Sequence, residues 1–181
     1  MKNLLGLQKF FPKVLLIINK TESIFVILKE HVFFSILVLK KHIGYQFNLL
    51  SCISGVDLLG SAYRFAVTYE ILSFTFNNRI RIKTYLNETD ILVSIIPIFK
   101  NANWWEREIW DLYGIFFKGH TDLRRILTDY GFEGYPMRKD FPLSGFIELR
   151  YDETKKRIVV EQIELTQNFR VFNFVNPWTK I

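Results

Sequence analysis

Apolar and polar positions follow one another along this chain with two periods, and the switches between them predict its elements. Leu4 to Phe11 has helical spacing and runs into Pro12, which ends a helix. Val14 to Asn19 and Ser23 to Leu28 are short β-branched and aromatic runs around Lys20-Thr21-Glu22, the pattern of a hairpin. Lys29 to His42 returns to helical spacing. Val32, Ile36 and Leu39 share its inward face, Lys40 and Lys41 sit at the negative end of the macrodipole, and Gly44 stops it. Three more strands follow at about Phe47 to Leu58, Arg64 to Phe74 and Arg79 to Leu86. The last two are joined by Thr75-Phe76-Asn77-Asn78. Arg79, Arg81 and Lys83 alternate with Ile80, Ile82 and Thr84, giving one wet and one dry face. The pattern predicts an α+β fold, a two-layer sandwich in the order α-β-β-α-β-β-β, over residues 1–100.

Ile91 to Phe99 is apolar enough to be buried and leads into the most unusual stretch, Asn103 to Gly145. It holds thirteen ionised side chains, seven acidic and six basic, among aromatics and glycines. Its first part predicts a helix with Asn103 as cap, Glu106 reaching back to it and Gly114 as stop. Trp105, Ile109 and Leu112 form an apolar stripe, with Glu108 on the polar side and Arg107 and Asp111 placed to pair. A second short helix is predicted from Thr121 to Gly131, with Leu123, Ile126, Leu127 and Tyr130 on one face and Arg124 and Arg125 beside it. Arg124 can pair with Asp122 or Asp129. Phe132 to Gly145 has no sustained period and carries Arg138, Lys139 and Asp140 between Pro136 and Pro142, a loop with fixed-angle residues. Positive φ is expected at Gly114, Gly131 and Gly145, and close backbone approach at Gly134. Residues 101–145 form the second region. The third, 146–181, has strands at Phe146 to Tyr151 and Lys156 to Ile163 about a charged turn. It ends in an extended tail bearing Phe169, Phe172, Phe174 and Trp178, an aromatic row that predicts a partner surface.

Composition changes this picture little: 49% hydrophobic and 17% aromatic residues exclude general disorder. The net charge of +6 raises the alternative of a free-standing nucleic-acid-binding domain. Yet residues 1–50 contribute seven lysines against two glutamates, scattered around apolar runs, and no nucleic-acid motif accompanies them. The longest run without Lys, Arg, Asp or Glu is the fifteen residues His42 to Val56, short of a membrane span. The start of the chain, broken by Lys9 and Lys13, reads as mature structure rather than a signal.

Candidate chemistry is sparse. Glu108, Asp111 and His120 could supply an acid, a base and an orienting group, or metal ligands. However, the Glu-x-x-His and His-x-x-x-His spacings are absent, as are a glycine-rich phosphate loop and a nucleophile motif. The single cysteine, Cys52, lies in an apolar run and cannot hold an iron–sulfur cluster alone. The residues therefore predict no catalytic site, no cofactor and no metal site. Indole rings around the charges of 103–110 instead predict partly desolvated ion pairs that fix the register of an interface.

The order Glu106-Arg107-Glu108, Asp111-Leu112-Tyr113-Gly114, His120, Asp122-Leu123-Arg124-Arg125-Ile126-Leu127, Gly134, Pro136 and Arg138-Lys139-Asp140-Phe141-Pro142-Leu143 closely resembles the signature of the 30-kDa subunit of respiratory complex I, NADH:ubiquinone oxidoreductase. Thr121 departs from it, standing where relatives usually carry proline, which touches only the local turn. The resemblance implies helices packed on a mixed sheet, in a core subunit of the peripheral arm without a redox centre. It further implies docking to the 49-kDa and 20-kDa subunits, on the matrix side of the mitochondrial inner membrane. On that reading Arg138 and Lys139, with Phe172 and Trp178 in the tail, are the main docking residues.

Overall fold

The computed structural model describes residues 15–18, 23–170, 172 and 178. The helix expected at Leu4 to Phe11 and the turn at Lys20-Thr21-Glu22 lie outside the described residues. The chain forms two compact units, Met1–Phe141 and Pro142–Ile181, and the fold is mixed α+β.

The first unit is built on a five-stranded sheet in the order β1-β2-β5-β4-β3. Its strands are β1 (Leu15–Ile18), β2 (Ser23–Val26), β3 (Leu49–Asp57), β4 (Phe65–Ser73) and β5 (Asn78–Leu86). All pairings are antiparallel except β2 with β5. The expected alternation on β5 is observed. Ile80, Ile82, Thr84 and Leu86 are buried, while the intervening Arg79, Arg81, Lys83 and Tyr85 reach solvent. In register with the dry face are Ile71, Tyr69, Val67 and Phe65 of β4, all at most 2% exposed. The turn before β5 closes with Asn77 at φ +46, a conformation asparagine tolerates.

A 3₁₀ turn, Lys29–His31, opens into helix α1 (Val32–Lys41). Val32, Ile36 and Leu39 are buried as the spacing predicts, and Lys40 at the far end donates to the Ile98 carbonyl and lies over the Phe99 ring. The helix ends at Lys41 and the chain turns at residues 43–45, with the positive φ, +45, falling on Gln46 rather than on Gly44.

Between the sheet and the charged stretch lies a strand, β6 (Ile91–Val93). It pairs in parallel with β7 (Phe116–Lys118). The helix between them is α2 (Ala102–Tyr113). It starts one residue before the expected cap. Asn101 is the residue before it, and its side chain donates not to the helix but to the Leu50 carbonyl of β3 at 2.8 Å. Tyr113 packs so closely on β3 that a Cβ on Gly55 would lie 2.8 Å from its ring, so only glycine fits there. The stripe expected at Trp105, Ile109 and Leu112 is shifted: the buried positions are Ala102, Glu106, Ile109, Asp111 and Tyr113, with Trp105 and Leu112 partly buried beside them. A glutamate therefore occupies the inward face.

The second helix expected at Thr121 to Gly131 does not form; the segment is irregular, with bends at 121 and 126–128 and a turn at 130–131. In the second unit, β8 (Ile147–Asp152) and β9 (Arg157–Gln162) form the expected antiparallel hairpin. Ile147, Leu149 and Tyr151 share one face with Ile158 and Val160, and each is more than half exposed.

Candidate functional site

Two carboxylates on α2 organise the charged stretch. Glu106 is fully buried. Its Oε1 accepts the Ile95 amide at 2.8 Å and its Oε2 accepts the Ser94 hydroxyl at 2.6 Å, tying the helix to the segment after β6. Burial pushes its pKa up to about 7, against the opposing hydrogen bonds from Ser94 and Ile95. The expected reach back to the helix cap does not occur, because both oxygens serve this contact. His120 closes the pocket with Nε2 3.9 Å from Glu106 Oε2. Its Nδ1 accepts the Asp122 amide at 3.0 Å, which places the ring hydrogen on Nε2, facing the Asn103 carbonyl at 3.3 Å.

Asp111, also fully buried, explains the missing helix. Its Oδ2 accepts the amides of Ile126, Leu127 and Thr128 at 3.1, 2.7 and 3.0 Å. Its Oδ1 accepts the Thr128 hydroxyl at 2.6 Å and Arg125 Nη1 at 3.0 Å. In the expected helix these three amides would donate to the carbonyls of residues 122–124, and here they are drawn to one oxygen instead. Burial raises the Asp111 pKa, but the hydroxyl and amides of residues 126–128 outweigh it and hold the value at about 2. Asp111 therefore pairs with Arg125 rather than with the expected Arg107, whose Nε instead donates to the Arg124 carbonyl at 3.2 Å. Arg124 pairs with Asp122 at 2.9 Å on the surface, worth at most about 1 kcal/mol.

The loop after Gly131 is pinned by a second network. Arg138 donates from Nε to the Tyr113 carbonyl at 2.7 Å, pairs with Glu88, and stacks on Phe65 and Tyr135. Arg125 also lies over the Tyr135 ring, 5.0 Å from its centroid. Asp140 pairs with Arg64 at 2.7 Å, and that hydrogen bond holds its carboxyl below the usual range. The Lys139 amide donates to buried Asp57 at 2.7 Å. Gly114, at φ +77, permits all of this: a Cβ there would lie 2.6 Å from the Tyr135 ring and 2.8 Å from Arg138 Nη2. Gly131 and Gly145 also have positive φ, as expected; Gly134 does too, and what a Cβ there would meet, at 2.9 Å, is the Phe141 ring rather than the expected backbone.

Sequence reasoning missed the partners that lie far along the chain: Asp57, Arg64, Glu88, Ser94 and Thr128. Only Thr128, in the predicted helix, carried a local signal, as a residue that favours turns over helix interiors. The hydrogen bonds of Asp111 and His120 go to different groups, those of Asp111 to residues 125–128 and those of His120 to Asn103 and Asp122. Outward from the pinned loops stand Leu127 and Met137, each about half exposed at 52% and 51%, and fully exposed Tyr130. Ile91, Val93 and Phe116 emerge from β6 and β7, with Trp110 edge-on to Phe116 at 6.0 Å.

Such an arrangement defines a scaffold, an α+β body whose own charges hold irregular loops in place while presenting apolar groups. Residues 25–147 match the family described as respiratory-chain NADH dehydrogenase, 30 Kd subunit. The chain is 46% identical over 179 residues, 98% of its length and 88% of the relative's, to NADH-ubiquinone oxidoreductase subunit 9 of Reclinomonas americana. It is 50% identical over 149 residues, 82% of its length and 78% of the relative's, to NADH dehydrogenase (ubiquinone) iron-sulfur protein 3 of Beta trigyna. The chain belongs to the family of the 30-kDa subunit of complex I, the respiratory-chain NADH:ubiquinone oxidoreductase. The nucleic-acid-binding alternative gains no support. The second relative's name includes an iron–sulfur group. These 181 residues hold one cysteine, and no cluster of three His, Cys, Asp or Glu side chains occurs among the described residues, so they do not fit that group.

Proposed function

We propose that this chain is a non-redox core subunit of the peripheral arm of mitochondrial complex I, on the matrix side of the inner membrane, which positions the 49-kDa and 20-kDa subunits of the quinone-reducing module. In this reading residues 101–145 are a rigid docking element on the sheet of 1–100, and 146–181 is a partner-binding extension. Glu106, Asp111, Gly114, His120, Arg125 and Arg138 shape the docking element from within. Trp105, Arg107, Glu108, Asp122, Arg124, Lys139 and Asp140 line it, and Phe172 and Trp178 extend the contact.

The observation that carries this reading is the loop at 124–131. Its backbone is clamped by Asp111 inside the chain, while Leu127 and Tyr130 are turned to water. Preorganised loops presenting apolar and aromatic side chains lose little entropy on docking. The exposed apolar face of the β8–β9 hairpin supports the role of the extension, since a two-stranded sheet is marginal unless that face is covered. The test is a native gel stained for NADH dehydrogenase activity. The chain should migrate in the very large active band, and Leu127→Ser with Tyr130→Ser should lower the amount of that band without lowering the chain's own melting temperature. A chain that runs alone, or a double variant that assembles fully, contradicts the reading.

A further inference from the structure

The sheet face turned away from the helices takes no part in the networks above. Arg79, Arg81, Lys83 and Tyr85 share this face of β5, with Glu70, Thr68 and Ala66 in register beside the last three on β4. Arg81 pairs with Glu70. Lys83 Nζ lies 5.1 Å above the Tyr85 ring, and Tyr85 is 6.4 Å from the ring of half-exposed Tyr63. The stripe runs into a crevice of about 380 Å³ at the carboxyl ends of β2 and β5. Leu28, Tyr63, Tyr85 and the Lys29–Asp90 ion pair bound it.

We propose that this face is a second docking surface, which holds an extended acidic segment of a neighbouring subunit, with carboxylates over Arg79 and Lys83 and one uncharged aliphatic or aromatic side chain in the crevice. Residues on one face of a strand repeat every roughly 6.8 Å. An extended peptide has the same repeat, so carboxylates four residues apart meet both cations. Glu70 interrupts the stripe by neutralising Arg81, which disfavours a continuous polyanion such as nucleic acid. Glu30 stands exposed at the crevice, so the group entering there carries no negative charge. Two tyrosines at its mouth offer flat apolar area with a polar tip, a composition suited to protein interfaces. The inference rests on the reading that this chain is assembled with other subunits.

The test places the photo-crosslinker p-benzoyl-phenylalanine at position 85 of the full chain, in place of Tyr85, and irradiates the assembled complex before peptide mapping. The expected adduct is one peptide of another complex I subunit with at least two acidic residues within five positions. The double variant R79E and K83E should lower adduct yield about fivefold or more, while R79K and K83R preserves it. An adduct to nucleic acid or lipid, a peptide without acidic residues, a yield indifferent to charge reversal, or no adduct in an assembled complex overturns the proposal. A native gel of the same preparation separates the two readings. Absence of the chain from the large band removes the scaffold function together with this surface, whereas presence without an adduct removes this surface alone.

Discussion

Replacing Asp111 by alanine tests the claim that one buried carboxylate, rather than local preference, shapes the loop at 124–131. The substitution removes five acceptor contacts at 2.6 to 3.1 Å: three amides, the Thr128 hydroxyl and Arg125. Each lost hydrogen bond costs about 1 kcal/mol where water can replace the acceptor, and breaking a buried ion pair costs about 3 to 5 kcal/mol. The contacts are partly buried and not additive, so a total of about 3 to 5 kcal/mol is expected, released mainly as local opening of this loop. Hydrogen exchange read at Ile126, Leu127 and Thr128 should accelerate on the order of a hundredfold or more, while β4 amides change far less. Trypsin should cut after Arg124 or Arg125 in the variant before it cuts the native chain. Amides at 126–128 exchanging at native rates in Asp111→Ala would refute the reasoning. The acid dependence follows in sign. The folded pKa is lowered from 3.8 to about 2, so this contribution is complete above pH 3.8 and is lost as pH falls through 2.

Glu106 has the opposite sign: with a folded pKa of about 7 against 4.5, its contribution is complete below pH 4.5 and is lost as pH rises through 7. Thermal melts from pH 4.5 to 7 should therefore show a smaller decline for Glu106→Gln than for the native chain, and equal slopes would contradict this. Gly114→Ala imposes positive φ on alanine and drives its Cβ into Tyr135 and Arg138, so urea unfolding should show a loss of roughly 2 to 4 kcal/mol. Arg138→Ala removes the link between Tyr113, Glu88 and the stacked rings. On native gels it should lower the amount of assembled complex more than the turnover of what remains, and the reverse pattern would assign Arg138 to chemistry.

Much of the fold was legible because periodicity is a local property. Alternation over residues 79–84 and helical spacing at Val32, Ile36 and Leu39 each report which side of an element meets the core, and the three hairpins β1–β2, β4–β5 and β8–β9 follow from short runs around turn residues. The 103–145 stretch stood out by its mixture of charges and aromatics but was misread within. Leu123, Ile126, Leu127 and Tyr130 have helical spacing, yet Tyr130 and Leu127 face water. The short strands β6 and β7 carry too few residues to show a period at all.

The amino-acid order determined the strands of the main sheet, the buried face of α1, the positive φ of Gly114, Gly131 and Gly145 and membership of the complex I subunit family. Tertiary structure decided which charges meet. In a segment with thirteen ionised groups many pairings satisfy local spacing, and burial selects among them. Asp111 takes Arg125 and three amides because helix packing carries it out of water beside that loop, and Arg138 turns inward because Gly114 leaves room for it. Such choices depend on desolvation and on distances between segments remote in the chain, quantities that no residue's immediate neighbours encode.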